Sequence, residues 1–102
     1  MFAMEFTGFV RVPADAVYTF SLDSDDGATL HIGDTLLVDN DGFHGVRVRS
    51  GAIALSKGYH PLRIGYFNGT ADRELRLAIR GAGGKKMPVP RMLFHSFTSK
   101  PR

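Results

Sequence analysis

The stretch Ala16-Val17-Tyr18-Thr19-Phe20-Ser21-Leu22-Asp23 decides the fold. In an extended chain successive side chains point to opposite sides, so Tyr18, Phe20 and Leu22 share one face and Thr19, Ser21 and Asp23 the other. The same period of two returns further along. Leu30 and Ile32 alternate with His31, and Leu62, Ile64 and Tyr66 alternate with Arg63 and Gly65. Leu75, Leu77 and Ile79 alternate with Glu74, Arg76, Ala78 and Arg80. Each run has one apolar and one polar face, as in antiparallel sheets with a single side in the core. Turn chemistry falls between the runs, at Pro13-Ala14-Asp15, Asp26-Gly27, Gly33-Asp34, Asp41-Gly42, Lys57-Gly58 and Asn68-Gly69. Short strands parted by such turns predict an all-β antiparallel sandwich or barrel. Gly81-Ala82-Gly83-Gly84 reads as a flexible connection. Pro88 and Pro90 mark an edge strand or an extended closing segment, because proline cannot donate to a central ladder.

The 102 residues suit one domain and leave no room for two. A hydrophobic fraction of 43% against 23% charged residues argues against disorder. The chain has no cysteine, which excludes a disulfide framework, a thiolate zinc site and a cysteine nucleophile. No apolar run approaches the ~18 residues of a membrane helix, so no membrane insertion is expected. The opening Met1-Phe2-Ala3-Met4-Glu5-Phe6 lacks the basic flank and length of a signal peptide. The expectation is a piece of a larger exported polypeptide.

The net charge of +3 hides a division. Residues 1–42 hold eight carboxylates against one base, Arg11, whereas residues 43–102 hold twelve Lys and Arg against Asp72 and Glu74. Many of the bases fall singly on outward strand positions, such as Arg63, Arg76 and Arg80, and only Lys85-Lys86 forms a tight pair. Scattered bases of this kind make a solvated face, and nucleic acid is not expected as a partner.

Three segments carry candidate chemistry. Asp23-Ser24-Asp25-Asp26-Gly27 crowds three carboxylates at a strand end. They repel one another unless donors or a cation compensate, and calcium, an oxygen-seeking ion of flexible geometry, is the natural cation. The alternative is a solvated Asp-Gly hairpin turn. The alternation and closing glutamate of an EF-hand loop are absent. Asp39-Asn40-Asp41-Gly42-Phe43-His44-Gly45 joins a second acidic turn to an aromatic and a histidine. A ring such as Phe43 can cover the apolar C–H face of a sugar or plug a core edge. Tyr66-Phe67-Asn68-Gly69-Thr70-Ala71-Asp72 ends a strand in amide, hydroxyl and carboxylate groups, or makes a plain Asn-Gly turn. There is no Gly-x-Ser-x-Gly elbow, phosphate-binding glycine loop or His-Glu-x-x-His, so no enzyme is expected.

The combination resembles a known family. Phe6-Thr7-Gly8-Phe9-Val10-Arg11-Val12-Pro13, Tyr18-Thr19-Phe20 and Ser24-Asp25-Asp26-Gly27-Ala28-Thr29-Leu30 look like the anthrax protective-antigen-like (PA-14) domain. So do Val38-Asp39-Asn40-Asp41-Gly42 with His44, the strand from Gly51 to Leu55, and Lys57-Gly58-Tyr59-His60-Pro61-Leu62 leading to Tyr66-Phe67. The likeness runs from about Phe6 to His95. It implies a jelly-roll-type β-sandwich over residues 1–95, with 96–102 a polar tail. It also implies a non-catalytic carbohydrate-binding role. The short form is most similar to domains attached to bacterial glycoside hydrolases, which places the chain in a secreted, periplasmic or cell-surface protein. In the adhesin branch of that family two consecutive aspartates bind calcium and the calcium binds sugar hydroxyls. Asp25 and Asp26 match that pair and Asn68 a downstream asparagine, with Thr70 and Asp72 as further ligands. Asp39, Asp41, Phe43 and His44 would then line the glycan-facing rim. The competing expectation is a structural or protein-interaction spacer that binds no sugar.

Overall fold

The computed structural model describes residues 2–25, 27–40, 47–68, 74–90 and 92–98. Among these residues nine strands follow in chain order: β1 (Phe2–Val12), β2 (Ala16–Asp25), β3 (Gly27–Ile32), β4 (Thr35–Asn40), β5 (Arg47–Leu55), β6 (Gly58–Asn68), β7 (Glu74–Arg80), β8 (Lys86–Met87) and β9 (Leu93–Thr98). They form two antiparallel sheets, one ordered β4-β3-β6-β1-β9 and the other β5-β2-β7-β8. The all-β sandwich expected from the alternation is the fold observed.

The alternation explains how the layers meet. Tyr18, Phe20 and Leu22 are buried from one sheet, and Val10, Val12, Leu30, Ile32, Leu62, Ile64 and Tyr66 from the other. Their partners in parity, Thr19 and Ser21 or Arg11 and Arg63, face outward. Burying each large apolar side chain of this set stabilises the fold by about 1.5–3 kcal/mol. The longest ladder joins β1 to β6, from Phe2 opposite Asn68 to Val12 opposite Gly58. Tyr18 donates its hydroxyl to the Ala14 carbonyl at 2.6 Å and so fastens the turn between β1 and β2. That turn is tied to the one between β5 and β6 where the Lys57 amide donates to Asp15 Oδ1 at 2.7 Å.

Three details depart from the expectations. Gly81–Gly84 is an ordered turn, not a flexible connection: Ala82–Gly84 form a 3-10 segment, closed by Gly84 N–H donating to Gly81 O at 3.1 Å and Gly81 N–H to Lys85 O at 2.8 Å. Gly83 and Gly84 hold φ of 73° and 77°, where a side chain is strained, so the glycines serve a fixed conformation. Next, β9 continues pairing with β1 to Thr98, three residues past the boundary expected at 95. Finally, β2 and β3 do not pair with each other, so Asp26-Gly27 does not close a hairpin.

Close approach explains one further glycine. A Cβ on Gly51 of β5 would lie 2.6 Å from the Leu37 carbonyl oxygen and 3.0 Å from its side chain, because β4 folds over β5 there. The clash is with backbone and cannot be relieved by a rotamer change. Gly51→Ala is therefore expected to cost about 1–3 kcal/mol, read as a lower midpoint in urea with an unchanged slope.

Candidate functional site

The strand register brings the three candidate segments to one end of the sandwich. Position 26 separates β2 from β3, positions 41–46 separate β4 from β5, and 69–73 separate β6 from β7. Each of these connections crosses from one sheet to the other. In the four-stranded sheet Arg47 stands opposite Ser24, and Glu74 opposite Asp25. In the five-stranded sheet Asn40 stands opposite Ala28, Gly27 opposite Phe67, and Phe2 opposite Asn68. Segments far apart in sequence thus leave the β-framework within a few residues of one rim.

Beneath that rim is a polar clamp. Asn40 and Ser24 are fully buried, on the inward parity of β4 and β2. The Asn40 amide donates to the Leu22 carbonyl at 3.2 Å and to Ser24 Oγ at 3.0 Å, joining the two sheets through the interior. Buried polar groups are costly unless bonded, so the pair fixes how the ends of β2 and β4 sit relative to each other. Sequence reading took Asn40 only as part of an acidic turn. The signal that would have found it is a polar residue at a core parity, following Val38 by two, with Ser24 likewise following Leu22.

The expected site residues divide as follows. Asp39 is exposed, opposite Thr29. Asp25 and Asn68 end β2 and β6, and so belong to the rim by backbone position. Asp26, Asp41, Phe43, His44, Thr70 and Asp72 lie outside the described residues. Two residues before Asp25, the Asp23 Oδ1 atom is buried and has no hydrogen-bond partner among the described residues. Among those residues no three His, Asp or Glu cluster as metal ligands.

A sequence model of the PA14 domain matches residues 1–91. The chain belongs to the PA14 domain family. Most of this PA14 domain, from β1 through Pro90, lies within the match. No curated protein matches the chain. A solved chain titled "anti-sigma factor domain-containing protein" superposes with a TM-score of 0.78 at 24% identity, over 86% of this chain and 31% of that one. That likeness shows the shared fold. The chain spans about a third of the length of that protein.

A second polar feature lies on the outer face of the five-stranded sheet. His31 stands opposite Arg63, with its Nδ1 buried and lacking a partner among the described residues. Burial, and secondarily the Arg63 guanidinium, hold its pKa below the ordinary 6.5. A base with a lowered folded pKa binds its proton more readily when unfolded, so its contribution is complete above about pH 6.5 and is lost as pH falls below that value.

Two outcomes are expected. Asn40→Ala, which strands the Ser24 hydroxyl and leaves a cavity, should cost about 2–3 kcal/mol in a denaturant titration. His31→Gln should show a smaller fall in melting temperature than the parent between about pH 7 and pH 5.5.

Proposed function

We propose that this PA14 domain is a non-catalytic carbohydrate-binding module of an exported protein, accessory to a glycoside hydrolase or a surface protein. The observation that carries the reading is the convergence of the three sheet-crossing connections on one rim. Loops on a rigid sandwich are where a binding site is free to form, because the framework holds their ends whatever their sequence. These connections and the strand ends beside them hold a concentration of oxygen ligands: Asp25 and Asp26 at the first, Asp39 and Asp41 at the second, and Asn68, Thr70 and Asp72 at the third.

The donor set is chemically that of calcium, all carboxylate, amide, hydroxyl and carbonyl oxygen, without thiolate or a histidine cluster. The Asp23 Oδ1 atom, buried two residues before Asp25, has no hydrogen-bond partner among the described residues, and Arg76 stands opposite it on β7. Asp25, Asp26 and Asn68 would hold the ion, with Thr70 and Asp72 completing it. Bound calcium would supply positions at which vicinal sugar hydroxyls replace water. Asp39, Asp41, Phe43 and His44 would form the surrounding rim, Phe43 by covering the C–H face of a ring and the others by accepting or donating hydrogen bonds.

The test is a thermal melt of the chain in calcium and in chelator, followed by a glycan array under both conditions. A ligand that binds only the folded state raises the midpoint. The reading expects a calcium-dependent rise, and calcium-dependent retention of at least one glycan. Asp26→Asn should abolish both while leaving the chelator melt within about 2 °C of the parent. Glycan binding that survives Asp26→Asn intact rules out the calcium mechanism. Silence of the array in calcium leaves a structural spacer instead.

A further inference from the structure

The opposite half of the five-stranded sheet carries a surface that the loop-end reading does not use. On its outer face the register sets Thr7 opposite Arg63, Phe9 opposite Pro61, and Arg11 opposite Tyr59. These six residues make a grid of two columns on adjacent strands. Its apolar part is open: Phe9, in the middle row, is 62% exposed and Tyr59, in the end row, 70%. A groove of about 660 Å³ opens beside it, lined by Thr7, Phe9, Pro61, Arg63 and Met92, with Gly33 at its margin. The Gly33 amide donates to the Pro61 carbonyl at 2.8 Å, which pins the β3–β4 turn against this edge of the groove. A volume of this size is within the range of small-ligand sites.

Cations stand at both ends of the apolar patch. Arg63 lines the groove, with Glu5 at 3.6 Å as its carboxylate, a loose and half-exposed ion pair. Such a pair is weak and leaves most of the five guanidinium N–H donors available. Arg11 is exposed at the other end, four residues along β1 from Thr7 and so roughly 13 Å away along the strand. We propose that this face binds an acidic saccharide, a chain of pyranose rings bearing carboxylates, without any metal. The rings would lie with their C–H faces on Phe9, Pro61 and Tyr59, and the carboxylates would meet the two guanidinium groups bidentately.

The exposed side chains favour a ring-bearing ligand over a peptide. β1 pairs with β6 along the whole grid, whereas β9 covers β1 only as far as Thr7 and β3 covers β6 only from Leu62. What the face offers is flat side-chain surface and paired positive charge. The proposal stands apart from the loop-end reading, because it uses other residues and no calcium.

The experiment is an NMR titration of the labelled chain with an oligogalacturonate of about six units, in chelator throughout. Shift changes are expected at Thr7–Arg11, Gly33 and Tyr59–Arg63, with affinity falling as salt rises from about 0.02 to 0.3 M. Phe9→Ala and Tyr59→Ala, both at exposed positions, should each weaken binding about tenfold, and Arg63→Gln to a similar degree. Asp26→Asn should leave it unchanged, which separates this surface from the loop end. Several results overturn the proposal: no binding at millimolar ligand, equal binding of the neutral oligogalactose, equal binding of hexaglutamate, or indifference to both aromatic substitutions.

Discussion

One residue separates the last paired position of β2 from the first of β3, and the two strands belong to different sheets. Most of the architecture depends on that crossing. With so short a link the two sheets must stand within a single side-chain layer of each other at this end. The inward positions there are accordingly small or polar: Ser24 and Ala28 are both buried. Larger aliphatics and aromatics begin one step further in, with Leu22 and Leu30. The Asn40 amide fills the remaining space and satisfies the hydroxyl that the narrow layer traps. A tight, hydrogen-bonded end of this kind is a stiff base for the connections above it, whereas the opposite end is closed by turns that fasten to one another.

The fold was legible because its code is the simplest one available, alternation in long strands. Tyr18, Phe20 and Leu22 point inward as their parity demands, and so do Leu62, Ile64 and Tyr66. What alternation does not specify is which strands become neighbours. Asp26-Gly27 has the chemistry of a hairpin turn, yet the chain changes sheets there, because sheet membership is settled by packing between distant segments. The glycine run at 81–84 misled in a similar way, since high glycine content is shared by loose chain and by turns that need positive φ. The end of β9 was missed because Ser96 and Thr98 look polar in isolation, and only the ladder to β1 gives them a place.

The candidate rim was readable in part. Aspartates at strand ends marked the candidate segments in the sequence, and the register brings the strand ends at Asp25 and Asn68 to one end of the sandwich. Asn40 was hidden by its neighbours: flanked by Asp39 and Asp41, it looks like another turn residue, although its parity with Val38 turns it into the core. The exposed Phe9 and Tyr59 were equally hard to see. Each sits in a run rich in apolar residues, so only the pairing that puts both on the outer face distinguishes them from core aromatics.

The pairing of β1 with β9 has a mechanical consequence. Phe2 stands opposite Thr98, so the first and last described residues emerge side by side from one end of an antiparallel pair. Tension drawing those two points apart would load the β1–β9 rungs one after another, as a zipper is opened, and not all together as in shear. The same pull reaches the β1–β6 ladder from its Phe2–Asn68 end. A PA14 domain held by both ends in this way would yield stepwise at modest force, starting with the edge strand. The sheet-crossing rim lies at the same end, so strain along the polypeptide would be felt first next to it.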